Sequence, residues 1–176
     1  MPKPFILLDR DGTLIKHIHH LIDPKEVELL PEVIDGLKLL KDLGFCFGVI
    51  TNQSVIGRGI ATYQEVESVN HEVSRLLFGQ GISLTFTLIC PHAPEDECTC
   101  RKPSPGLGTK AILEFDVDNL KSFMLGDQPT DVLFGHAIGC RAIQISEKHN
   151  SCSEADYNTE TLLKAARWIE SEMKRV

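Results

Sequence analysis

Two aspartates, Asp9 and Asp11, stand one residue apart immediately after the apolar run Phe5-Ile6-Leu7-Leu8, and Gly12 follows them. Carboxylates that close repel each other unless a cation lies between them or one takes a proton. Magnesium relieves that repulsion and leaves one carboxylate to attack phosphorus and the other to shuttle a proton. The spacing therefore suits metal-assisted phosphoryl transfer. The plainer reading of the same residues is a strand ending in an Asp-Gly turn.

Further along, Thr51-Asn52-Gln53-Ser54 follows the apolar Val49-Ile50 and offers a hydroxyl and two amides that could hold phosphate oxygens, although by itself it reads as a turn. Cys90, His92, Cys98 and Cys100 fall within one short stretch. Three thiolates and an imidazole make a closed tetrahedral zinc site, structural rather than catalytic, against the alternative of scattered buried cysteines. Iron also accepts tetrahedral sulfur. Arg101 and Lys102 follow at once, so a rigid metal loop would aim both cations. Lys102 would meet the phosphate under attack, and Arg101 a second oxyanion or a substrate hydroxyl. Gly126-Asp127 places a third carboxylate after another apolar run. Asp127 with Asp9 and the Asp11 carbonyl would give magnesium its oxygen ligands, and Asp131 could brace Lys102. His17, His19 and His20 lie in a polar segment where His17 and His20 could touch substrate, though solvated loop histidines are the simpler account.

These groups need elements to bring them together. Apolar runs at Phe5 to Leu8, Phe45 to Ile50, Leu84 to Ile89, Lys121 to Leu125 and Arg141 to Ile145 read as buried parallel strands. Helical stretches alternate with them, from Val33 to Leu43 between Pro31 and Gly44, and over Thr62 to Leu77, Gly106 to Phe115, Pro129 to Ile138 and Thr159 to Lys174. The rhythm predicts an α/β fold, a doubly wound, mainly parallel Rossmann-like sheet of five or six strands with helices on both faces. Ligands bind such sheets at the carboxyl ends of the strands, where Asp9, Thr51 and Asp127 would fall. The segments Ile15 to Leu30 and Cys90 to Pro105 fit no element, and long irregular segments are often functional.

The 176 residues suit a single domain, residues 1–176. With 18 basic against 25 acidic side chains the net charge is -7, which gives no attraction for nucleic acid or anionic membrane. No apolar run approaches a bilayer span, and six cysteines without a secretory signal suit the cytoplasm.

Asp9-x-Asp11-Gly-Thr, Thr51, Lys102 and Gly126-Asp127 with Asp131, in that order, resemble the haloacid dehalogenase superfamily of aspartate-dependent phosphatases. Cys90-Pro-His92, Cys98-x-Cys100 and Arg101-Lys102-Pro103 are similar to the branch that holds the D-glycero-D-manno-heptose 1,7-bisphosphate and histidinol-phosphate phosphatases. Thr51-Asn52-Gln53-Ser54, Ile56 and Arg58-Gly59 lean toward the heptose group. The resemblance implies a phosphoric monoester hydrolase in which Asp9 is the nucleophile, Asp11 the general acid and base, and Thr51 and Lys102 stabilisers of the transferring group. Magnesium would sit on Asp9, Asp11 and Asp127, and no large cap domain would be present. The expected partner is a phosphorylated sugar, with Asn52, Gln53, Ser54, Arg101, His17 and His20 as candidate contacts, in a monomer. Histidinol phosphate, or a zinc-stabilised binding protein without turnover, are the alternatives. Val55, Gln128 and the His17 to His20 run depart from the heptose pattern.

Overall fold

The structure, a computed structural model, describes residues 1–146 and 151–175. Six strands, β1 (Phe5–Leu8), β2 (Cys46–Asn52), β3 (Phe86–Cys90), β4 (Phe123–Gly126), β5 (Arg141–Ile145) and β6 (Tyr157–Thr159), form one sheet. Every pairing is parallel and the order is β3-β2-β1-β4-β5-β6. The helices are α1 (Val33–Asp42), α2 (Ser54–Gly57), α3 (Tyr63–Phe78), α4 (Gly106–Phe115), α5 (Pro129–Ala137) and α6 (Leu162–Met173).

β1 is buried along its whole length because both faces of the sheet are covered. Its side chains alternate between two cores. Ile6 and Leu8 join residues of α1, α3 and α6, whereas Phe5 and Leu7 join residues of α4 and α5. α3 starts at a reciprocal cap, in which the Thr62 hydroxyl accepts from the Glu65 amide at 3.2 Å and Glu65 accepts from the Thr62 amide at 2.7 Å. It buries the stripe Val66, Val69, Val73 and Leu77, with Asn70 as the one polar member.

After β3 the chain returns to the far side of β1 to form β4, so the strand order reverses between β1 and β4. That switch point is where a crevice opens at the carboxyl ends of the strands. The Asp9 amide there donates to the Leu125 carbonyl at 2.9 Å, which keeps the two strand ends together.

Three local expectations change. β2 runs on through Thr51 and Asn52, because β3 extends to pair with them through Ile89 and Cys90. The last helix starts at Leu162, since Tyr157–Thr159 pairs with β5 as an edge strand too short to show a hydrophobic period. The segment after Thr13 is a flap with ladder-like bonds, Lys16 N to Glu28 O at 2.9 Å and Leu30 N to Leu14 O at 3.0 Å. No helix among the described residues is long and apolar enough to cross a membrane.

Candidate active site

Asp9 lies just past β1 and Asp127 just past β4, while Lys102 arrives from the loop that follows β3. The Lys102 ammonium is buried and bridges two carboxylates, Asp9 Oδ1 at 2.5 Å and Asp131 Oδ1 at 2.7 Å. It also donates to the Ile50 carbonyl at 2.7 Å. Burial works against its charge, but the two carboxylates outweigh that and hold its pKa above the ordinary lysine value. Asp9 is pushed up to about 7 by burial, against the pull of Lys102 and with the Asp131 and Asp11 charges adding to the rise. Asp127 is likewise raised by burial, with the Gln128 amide working the other way at 2.6 Å. Carboxylates so placed favour a cation, and Asp9, Asp127 and Asp131 can each turn an oxygen to within 4.8 Å of the others.

Two glycines let the loops close on this cluster. Gly12 has φ +80°, and a β-carbon there would stand 2.6 Å from Asp127 Oδ2. One on Gly126 would stand 2.2 Å from the Asp131 carboxyl group. Any larger residue would push the carboxylates apart.

Asp9, Asp11, Asp127, Lys102, Arg101, Asn52 and His17 share the lining of one cavity of about 410 Å³, with Gln128, Thr130 and Asp131. The amides after Thr51 also have partners within the protein. Asn52 accepts from the Lys102 amide and donates to the Lys102 carbonyl, both at 3.1 Å, and so clamps the lysine backbone. Gln53 Nε2 reaches Asp11 Oδ2 at 2.8 Å and the Thr51 hydroxyl at 2.7 Å. Thr51 itself is buried, with its hydroxyl accepting from Gln53. Ser54 opens α2 and lines a neighbouring cavity of about 230 Å³ with His17, His19, His20 and Arg58. His20, in left-handed backbone at φ 55°, reaches only this second cavity.

The loop after β3 gathers the soft donors. Cys90 Sγ lies 3.7 Å from Cys98 Sγ and 3.3 Å from Cys100 Sγ, Cys98 to Cys100 is 3.5 Å, and His92 Nδ1 is 3.2 Å from Cys100 Sγ. A tetrahedron with zinc–sulfur bonds of about 2.3 Å has edges of about 3.7 Å, so the donor set fits zinc with a small expansion. Burial pushes the Cys90 thiol up to about 12, while for Cys98 desolvation, the largest single effect, is outweighed by hydrogen bonds from the Cys100 and Arg101 amides and the neighbouring thiols, which together draw it down to about 7. Arg101 Nη1 donates to the His92 carbonyl at 3.2 Å, which ties the first cation after the loop back onto it.

Three residues of the site were not singled out from the sequence. Gln144 on β5 donates to the Asp127 carbonyl at 3.0 Å, and Thr130 lines the cavity from α5. Arg10 is only 1% exposed and grips Asp11 from within the aspartate pair itself. Its sequence signal was available, since a cation placed between two carboxylates after a buried strand has to be balanced by one of them.

A doubly wound parallel sheet with carboxylates and a buried lysine at its switch point defines an α/β domain of the aspartate-dependent phosphatase class. Sequence and structure comparisons carry this to the family. A family model described as HAD-hydrolase-like, for haloacid dehalogenase, matches residues 99–163. Over 123 residues the chain is 35% identical to a probable D-glycero-D-manno-heptose-1,7-bisphosphate 7-phosphatase of Thermoplasma volcanium, covering 70% of this chain and 84% of that protein. Over 152 residues it is 36% identical to the histidine biosynthesis bifunctional protein HisB of Blochmanniella floridana, covering 85% of this chain. The chain spans only 43% of the length of that bifunctional relative. The crystal structure of D,D-heptose 1,7-bisphosphate phosphatase from B. bronchiseptica, in complex with magnesium and phosphate, superposes with a TM-score of 0.85 at 25% identity, covering 96% of this chain and 99% of that one. The chain belongs to the haloacid dehalogenase-like phosphatases.

Proposed function

We propose that this protein hydrolyses one phosphate monoester of a sugar bisphosphate, most closely D-glycero-D-manno-heptose 1,7-bisphosphate to its 1-phosphate, through an aspartyl-phosphate. The observation that carries the reading is Lys102 bridging Asp9 and Asp131, with Asp11 and Asp127 on the same cavity wall. An Asp9 oxygen attacks phosphorus, the bond to the sugar oxygen breaks, and the leaving oxygen takes a proton from Asp11. Asp11 then removes a proton from water, which attacks the aspartyl-phosphate and releases inorganic phosphate and the Asp9 carboxylate. Lys102 neutralises charge on the equatorial oxygens, and the Thr51 hydroxyl, which accepts from Gln53 and keeps its own proton to donate, suits a hydrogen bond to one of them. Asp9, Asp127 and the Asp11 carbonyl would hold magnesium, which supplies charge neutralisation at the phosphoryl oxygens.

Arg101, on the rim of the cavity, suits the phosphate that is not attacked, and His17 and His20 suit hydroxyls of the sugar. Asn52 and Gln53 hold Lys102 and Asp11 as well as lining the cavities, and Ser54 lines the second cavity beside them. Zinc on Cys90, His92, Cys98 and Cys100 would hold the loop that carries Arg101 and Lys102. Its thiolates need a reducing compartment, in keeping with a monomeric cytoplasmic enzyme.

Magnesium-dependent phosphate release from both anomers of the heptose bisphosphate, from histidinol phosphate and from other sugar phosphates tests the reading, with Asp9→Asn as control. Preference for a heptose anomer is expected. The HisB similarity supports a second reading, and faster turnover of histidinol phosphate would establish it in place of the first. Release that survives Asp9→Asn would rule out Asp9 as the nucleophile, and no release with any compound would point instead to a zinc-stabilised binding protein.

A further inference from the structure

We infer that Arg10 and Asn70 form a positioning pair that fixes the carboxylate of Asp11 for proton transfer, a proposal that rests on the function proposed above. Arg10 uses its planar fork on one partner. Nε donates to Asp11 Oδ2 at 3.0 Å, and Nη2 donates to Oδ1 at 3.1 Å. With Gln53 Nε2 also on Oδ2 at 2.8 Å, both oxygens of Asp11 are held and the plane of the carboxylate is set. A backbone bend cannot do this for a side chain that is partly exposed at the cavity.

The fork itself must be held, and that falls to α3. Arg10 Nη1 donates to Asn70 Oδ1 at 2.8 Å, across sixty residues of sequence, in buried surroundings. Asn70 is 5% exposed and interrupts the stripe of Val66, Val69, Val73 and Leu77. Its other end, Nδ2, has no hydrogen-bond partner among the described residues. An apolar side chain would pack that stripe without desolvating an amide, so the residue makes sense through the one bond it forms. Asn70 is the one side-chain acceptor that Arg10 has besides Asp11 among the described residues. The result is a rigid line from a helix in the core to the proton-transfer group, the kind of support that keeps a catalytic side chain within a fraction of an ångström of its working position.

A positioning role has a signature that a merely structural one lacks. Proton donation to the leaving oxygen matters greatly for a sugar alkoxide and little for 4-nitrophenolate, which departs without help. The test compares kcat/KM, which reports the step in which the leaving group departs, on a sugar phosphate and on 4-nitrophenyl phosphate. Asp11→Asn is the reference and should lose far more on the sugar phosphate. Asn70→Leu should lose about tenfold on the sugar phosphate and less than about threefold on 4-nitrophenyl phosphate, as partial loss of a general acid worth roughly 10²–10⁴. Arg10→Lys, which keeps the charge and removes the fork, should show the same split more strongly, and it carries the test if Asn70→Leu proves unstable in thermal melts. Equal losses on the two substrates, or no loss, while Asp11→Asn shows the split, would overturn the positioning pair alone. If Asp11→Asn itself shows no split, the proton-transfer role of Asp11 falls and the pair falls with it.

Discussion

Among the described residues two clusters of side chains could hold a metal ion, and they are built in opposite ways. Cys90 ends β3 and His92, Cys98 and Cys100 follow in the next loop, so the four donors come from one short stretch of sequence. Asp9 and Asp127 come from two strand ends more than a hundred residues apart and Asp131 from the first turn of α5, and the three meet only because β1 and β4 are neighbours. The first can form on a short stretch of chain once metal is present, and metal binding there is folding free energy. The second exists only after the sheet is complete. Lys102 joins the two, since it leaves the loop and ends between Asp9 and Asp131.

The sharpest way to break this contrast is at the nucleophile. Asp9→Asn should lower phosphate release by on the order of 10⁴-fold, as removal of a covalent nucleophile does, while the melting temperature stays within a few degrees. A large drop in melting temperature would mean the carboxylate cluster supports the fold after all. Lys102→Met comes next. It leaves Asp9 and Asp131 buried without their shared cation, and breaking a buried ion pair costs about 3–5 kcal/mol, which denaturant unfolding would register along with loss of turnover. A variant as stable as the parent would show that the lysine serves chemistry only.

Metal removal separates the clusters directly. Stripping zinc should lower the melting temperature and, by loosening Arg101 and Lys102, lower turnover as well. Withholding magnesium should stop turnover and leave the melting temperature of the zinc-loaded protein almost unchanged. Parallel melts and assays decide this, and unfolding on loss of magnesium alone would reverse the assignment. The smallest effect concerns pH. Asp9 titrates near 7 when folded without metal and near 3.8 when unfolded, so between those values the folded state holds the extra proton. Stability of the magnesium-free protein should therefore fall as pH rises from about 4 to about 7, and Asp9→Asn should flatten that part of the profile. An unchanged profile in the variant would assign the slope to other groups.

How far the sequence could be read depended on whether a signal was local. β1, β5 and α4 fall where their apolar runs and helix boundaries place them. β6 was missed because three edge residues carry no period, and α2 because four residues after Gln53 read as a turn. Asn52 and Gln53 looked like substrate contacts from their position after a strand. Only the fold revealed that their amides are taken by Lys102 and Asp11.

By itself the sequence determined the alternation of strands and helices, the presence of a thiolate and imidazole donor set, and the carboxylates and lysine able to act on phosphate. These follow from residue type and short spacing, which physics reads directly as burial, period and ligand chemistry. The tertiary structure alone decided that the strand order reverses between β1 and β4, that Lys102 bridges Asp9 and Asp131, and that Asn70 reaches Arg10. Each depends on contacts between residues far apart in sequence, and such contacts are selected by the packing of the whole sheet rather than by any segment of it.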